Sequence, residues 1–187
     1  MKHPSLRRPQ KSRIFVGCEG ASERSYAAWL QILCNERNVS VHLDIHDLGQ
    51  AGSPIATFER AGKIISREQK NKDKYSYKVI LIDTDWLAEI QQRTQCEEQA
   101  RRLGLIIIWQ HPCHEAFLLR HFLGFEYNQP PTTAESISCL KQLWPGYEKN
   151  MPAHKIQQRL TIDGARRVAN HLAQFCSFLN VIGLLKD

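Results

Sequence analysis

Four short, apolar, β-prone runs separated by stretches of helical periodicity constrain this chain more than any other feature. They lie at about 13–18, 39–45, 78–83 and 105–109. The second alternates apolar and polar residues as a half-buried strand does, and the fourth reads as deeply buried. Helical signals fill the gaps. One covers 22–38, with Ser22 as a cap and Tyr26, Leu30 and Leu33 or Cys34 along one face. A second covers 53–70, opened by the cap and first-turn pair Ser53-Pro54, and a third covers 88–103. Further helices are predicted near 114–123, 133–143 and 161–179. Helices of this length between strands imply parallel crossovers. The expected fold class is therefore α/β, a four-stranded, mainly parallel sheet flanked by helices, with additional C-terminal helices. Right-handed crossovers in the order 2-1-3-4 set the first and third strands side by side.

The 187 residues suffice for one domain with a proper core, so the organisation expected is a basic tail over 1–12 and one domain over 13–187. Pro130-Pro131 and Pro145-Gly146 read as local breaks inside it. The formal charge of +6 is concentrated at one end. Lys2, Arg7, Arg8, Lys11 and Arg13 place +5 in the first thirteen residues, leaving +1 for the rest (6 − 5). Such an arm suits phosphates, and equally a solvated tail. No apolar segment precedes Ile14, and the run at 105–109 is far too short to span a bilayer. With six scattered cysteines and no C-x-x-C pair, these features lead to an expected cytoplasmic location without membrane association.

Acidic residues follow two of the apolar runs. Cys18-Glu19-Gly20 closes the first and Asp83-Thr84-Asp85 the third. Open α/β sheets bind ligands at the carboxyl ends of their strands. If those strands are neighbours, Glu19, Asp83 and Asp85 converge, and clustered carboxylates call for a hard divalent cation between them. Glu23, one helical turn after Glu19, can add an oxygen or simply favour the first turn of its helix. The second dense cluster is His111-Pro112-Cys113-His114-Glu115. No second ligand pair has zinc spacing relative to it. Glu115 can bind or orient a metal, and His111 can contact phosphate or move a proton, whereas His114 and His121 also fit a largely apolar helix. Tyr26 falls on the apolar stripe of its helix and reads as core. Gly146-Tyr147-Glu148-Lys149-Asn150 carries a ring, a cation and an amide that suit a nucleotide as well as an ordinary turn. No Walker loop, G-x-S-x-G or G-x-G-x-x-G is present.

In this order the motifs resemble the RloB-like family of the Toprim superfamily. Cys18-Glu19-Gly20, Ser22-Glu23 and Tyr26 are followed by Asp83-x-Asp85 and then by the stretch 112–122, PCHEAFLLRHF, similar to the family's N-P-C-F-E-x-W-L-L-x-H-F. Residues 146–150 are similar to its G-Y-x-K-N loop, and the resemblance covers about 13–170. It implies a Toprim-like fold and a nuclease-like role in antiphage defence or abortive infection, often beside an ATPase partner. By position it implies Glu19 as acid/base or metal ligand and Asp83 and Asp85 as holders of Mg²⁺ or Mn²⁺. Glu23 and Glu115 would support them. The family's D-R-D plus acid is Asp83-Thr84-Asp85-Trp86 here, its Asn before the proline is His111, and its aromatic before the glutamate is His114.

The function expected is a metal-dependent phosphodiesterase acting on nucleic acid. Glu19, Asp83, Asp85 and Glu115 are its catalytic candidates, and Glu19, Asp83, Asp85 and Glu23 its metal candidates. His111, Lys149 and Asn150 are the candidates for substrate contact. The retained acids favour it. The nearly neutral body and altered D-x-D surroundings favour the alternative, a non-catalytic nucleic-acid- or nucleotide-binding subunit working with a partner ATPase. Nucleotidyl transfer, or hydrolysis of a small nucleotide, at the same site is a third reading.

Overall fold

The computed structural model describes residues 11–49, 53–85 and 90–186. The first ten residues, which hold Lys2, Arg7 and Arg8 of the basic tail, lie outside the described residues, as does Trp86. In chain order the elements are β1 (Ser12–Cys18), α1 (Ala21–Glu36), β2 (Val41–Asp47), α2 (Pro54–Asn71), β3 (Tyr77–Asp83), α3 (Ile90–Leu103) and β4 (Ile106–Gln110). Then follow α4 (His114–Leu119), α5 (Thr133–Leu143), α6 (Ala153–Gln157), α7 (Ile162–Ala169) and α8 (Ala173–Val181).

The strands form a four-stranded sheet in the order β2-β1-β3-β4, with every pairing parallel. This is the order expected from right-handed crossovers, and the arrangement is consistent with a Toprim-like fold. β1 lies inside, paired on both sides, so its residues 14–18 are fully buried. Their side chains alternate between two cores, as strand geometry demands. Ile14, Val16 and Cys18, with Val79 and Leu81 of β3, face α1 and the C-terminal helices. Phe15, with Ile80 and Ile82, faces α2 and α3. A Cβ on Gly17 would stand 2.9 Å from Leu48 Cδ1, so this strand position needs glycine for the close approach.

Several local expectations are corrected. Helix α1 is capped by Gly20, and Ser22 sits inside it, bonded to Asn150. By contrast, Ser53 does cap α2, accepting from the Ala56 N–H at 3.3 Å with Pro54 in the first turn. β2 starts two residues later than its alternation predicts, because Val39 N–H bonds back to Cys34 O at the end of α1. β4 is an edge strand, and Ile106 is 37% exposed. α4 ends at Leu119, short of 123. The predicted helix over 161–179 is two helices, α7 and α8, broken at 170–172. They bury different surfaces. Gly164 of α7 presses against the His121 backbone, where a Cβ would meet the carbonyl at 2.9 Å, while Phe175 and Phe178 of α8 enter the core against the sheet. Arg13 belongs to β1 and pairs with Asp44, so it is no part of a basic arm. Among the described residues, no helix is long and apolar enough to cross a membrane.

Candidate active site

Because β1 and β3 are neighbours, the residues that leave their carboxyl ends meet. Glu19 follows β1 and Asp83 ends β3, and the Asp83 N–H donates to Glu19 Oε2 at 3.0 Å. Chain direction then turns into α1 through Gly20, whose extended backbone serves as N-cap. Glu23 in the first turn folds back, and its Oε2 accepts the Gly20 N–H at 3.0 Å. That satisfies an amide at a helix end and buries the carboxylate, which is 5% exposed. From the next strand over, β4 runs through Gln110 and a cis His111–Pro112 peptide into α4, which begins with His114 and Glu115. Both are 2% exposed. Glu115 Oε1 accepts from the Tyr147 hydroxyl at 3.0 Å and lies 3.8 Å from Lys149 Nζ. The 146–150 loop is pinned to α1 at its end. Asn150, at φ 62, donates its N–H to Ser22 Oγ at 3.1 Å.

These residues enclose a cavity of about 240 Å³ lined by Glu19, Gly20, Ala21, Ser22, Glu23, Asp83, His114, Glu115, Lys149 and Asn150. Four carboxylates thus share one space with a single lysine. The strain of that arrangement falls on Asp83. Its Oδ1 is buried with no hydrogen-bond partner. Burial first, and then the charges of Glu23, Glu19 and Asp85, push its carboxyl up to about 9. His114 is held below its ordinary value by burial, against the opposing pull of Glu23 and Glu115. Its Nδ1 lies 2.9 Å from Gln110 Nε2 and 3.8 Å from Glu23 Oε1.

The donor set fits a hard divalent cation. An orphaned carboxylate oxygen beside two further carboxylates is what a positive charge would satisfy, and all the donors are oxygens. Among the described residues no three His, Cys, Asp or Glu side chains are placed to hold a metal ion together. Magnesium, which keeps several waters and uses one or two carboxylates, needs no such trio.

Six of the residues singled out in the sequence therefore line one cavity: Glu19, Glu23, Asp83, Glu115, Lys149 and Asn150. Asp85 and His111 stand outside it. Asp85 is exposed, its Oδ2 accepts from Thr133 Oγ1 at 2.7 Å, and its N–H donates to Pro112 O at 2.9 Å. His111 is exposed, with Nδ1 2.7 Å from Thr84 Oγ1. Tyr26 is a core residue, fully buried, its hydroxyl 2.9 Å from His121 Nε2. Tyr147 is buried rather than presented as a stacking ring. Sequence reading missed Ser22 as a lining residue and Gln110 and Tyr147 as supports. Gln110 had a signal, a polar residue ending the apolar run just before the histidine-rich cluster.

The family model described as RloB-like protein matches residues 14–180. No curated protein and no solved structure matches the chain.

Proposed function

The chain belongs to the RloB-like protein family, and from that membership together with the acid-lined cavity we propose that it is a metal-dependent phosphodiesterase acting on nucleic acid. The observation that carries this reading is the buried, unpartnered Asp83 Oδ1, within the field of Glu23 and Glu19 at the carboxyl edge of the sheet. Asp83, helped by Glu23, would hold Mg²⁺ or Mn²⁺. When bound, such a cation supplies charge stabilisation on the scissile phosphate and lowers the pKa of water. The remaining work belongs to the protein. Glu19, braced by the Asp83 amide, takes up or returns a proton at the reacting oxygen. Lys149, at the mouth of the cavity, neutralises a phosphate oxygen, and its neighbour Glu115 sets its position. Tyr147 in turn fixes Glu115. A role in antiphage defence and an ATPase partner enter this proposal through the family resemblance alone.

A specific observation favours a second reading, a binding subunit that does no chemistry. Asp85 faces Thr133 outside the cavity, so the D-x-D pair does not present both acids to one point. The deciding experiment incubates the pure protein with labelled single- and double-stranded DNA and RNA in Mg²⁺, Mn²⁺ or EDTA. Asp83→Ala, checked for folding by circular dichroism, runs alongside. Metal-dependent cleavage that vanishes in the variant supports the phosphodiesterase. Tight binding without cleavage in any metal favours the binding subunit.

A further inference from the structure

The cavity alone is a poor holder of a polyanion. Its lining sets Glu19, Glu23, Asp83 and Glu115 against Lys149. Affinity for a nucleic-acid strand must therefore come from cations elsewhere on the molecule. Three arginines of the C-terminal region are committed to the fold. Arg159 donates to Leu143 O at 2.5 Å, Arg166 to Leu184 O at 3.1 Å and Arg167 to His121 O at 2.7 Å.

The other layer differs. Between α2 and α3 lies a groove of about 520 Å³. At its floor Gly62 and Leu103 bring the two helices close, since a Cβ on Gly62 would stand 3.0 Å from Leu103 Cδ2. Along its rim Lys63, Arg67 and Lys70 are all exposed. Their spacing of four and then three residues keeps them on one helix face, about 6 Å and about 4.5 Å apart along the axis. No ion pair or hydrogen bond engages Lys63 or Lys70 among the described residues, while Arg67 donates to Glu68 Oε1 through Nε at 3.4 Å and Nη2 at 3.3 Å and would exchange that partner for a phosphate. Glu59 is the one acid in the lining. A cation in the last turn, as Lys70 is, also suits the helix dipole; Lys63, two turns earlier, has no such reason to be basic. α2 starts at the sheet edge that carries the cavity, since it follows the carboxyl end of β2, but it lies on the face opposite α1 and runs away from that edge, so a strand reaching the groove crosses the edge of the sheet. Lys63 comes nine residues into the helix, about 14 Å along it.

We propose that this groove is the track for the phosphodiester backbone of a strand whose scissile phosphate lies in the acidic cavity, with Lys63, Arg67 and Lys70 contacting phosphates several nucleotides away. The inference rests on the reading of the substrate as nucleic acid. It makes recognition depend on length: a strand must extend beyond the cavity to reach the cations.

The test measures fluorescence anisotropy of labelled single-stranded DNA and RNA, about 20 or about 4 nucleotides long, in EDTA at a series of salt concentrations. Binding in EDTA reads the track without requiring cleavage. Wild type is compared with the variant Lys63→Glu/Arg67→Glu/Lys70→Glu and with the milder Lys63→Gln/Arg67→Gln/Lys70→Gln. The expected result is at least about tenfold weaker binding of the long strand by both variants, with a salt slope smaller by about 2, the share of three single-strand phosphate contacts. The short strand, which cannot span several of these cations from the cavity, is expected to bind all three proteins at least about tenfold more weakly than wild type binds the long strand. The DNA and RNA arms show which polymer carries the phosphates. Long-strand binding by the variants within about twofold of wild type at an unchanged salt slope overturns the track and returns the groove to an acidic protein partner. Absence of long-strand binding by wild type overturns it as well. Hydrolysis of bis(p-nitrophenyl) phosphate with Mn²⁺, which cannot reach the groove, is judged separately. Its absence in wild type counts against the phosphodiesterase reading and leaves the binding result standing.

Discussion

Glu19 accepts the backbone N–H of Asp83 at 3.0 Å, so the loops leaving two adjacent parallel strands are joined by the side chain expected to handle the proton. A glutamine keeps that acceptor and removes the charge. Glu19→Gln is expected to fold normally and to lose about 10²–10⁴-fold in phosphodiester cleavage, the usual worth of a general acid or base. Turnover and melting temperature measured on the same preparation check it. Cleavage at the wild-type rate would remove Glu19 from the chemistry.

Asp83 and Asp85 are two residues apart yet occupy different surroundings, one inside the cavity and one against Thr133. Asp83→Ala is expected to abolish metal-dependent cleavage, whereas Asp85→Ala is expected to cost about tenfold or less, through the field it exerts on Asp83. Equal losses in the two variants would place Asp85 at the metal.

Without metal, burial and then the charges of three neighbouring acids push the Asp83 carboxyl from its ordinary 3.8 up to about 9. A raised carboxyl contributes stability below its unfolded pKa and loses it as pH rises through the folded one. Melting in EDTA should therefore show Asp83→Asn gaining on wild type from pH 4 to pH 9, by about 1–3 kcal/mol at the alkaline end. Mg²⁺ should raise the melting temperature of wild type and leave the variant unmoved. A constant gap across pH would show that Asp83 is not the group under strain.

His121 works in the opposite sense. Complete burial lowers it from 6.5 to about 3, so it stays neutral in the fold. Its contribution is present above pH 6.5 and lost as pH falls towards 3. Replacing the bonded pair together, Tyr26→Phe with His121→Leu, should flatten the melting curve between pH 6.5 and 4 relative to wild type. An unchanged acid slope would assign the loss to other groups.

Tyr147→Phe removes the hydroxyl that bonds Glu115 inside the protein. The carboxylate is then left to Lys149, itself largely exposed. A loss of about 1–3 kcal/mol is expected by denaturant melting, together with weaker cleavage, because Glu115 no longer has a fixed position. Full stability in the variant would mean that Glu115 does not depend on this bond.

The sheet order and the meeting of Glu19 with Asp83 were legible because apolar runs and their terminal acids are local signals, and handedness decides the rest. Glu115 and Lys149 were visible as members of dense clusters. What could not be read was which way a loop turns. Asp85 is drawn from the cavity by Thr133 and by the Pro112 carbonyl, partners that stand far along the chain. Tyr147 looked like a surface ring because its loop is polar, yet the buried carboxylate of Glu115 on α4 needs its hydroxyl. The division of 161–179 into α7 and α8 was hidden for a similar reason: each half follows its own packing surface rather than one continuous stripe.

The sheet separates two cores of unequal size, with α2 and α3 resting on the smaller one. Less apolar contact holds that layer, so its amides are expected to exchange with deuterium ahead of those in α1 and α8. The helix bearing Lys63, Arg67 and Lys70 is then expected to open more readily than the helices on the larger core, and a bound strand would act on it as a splint.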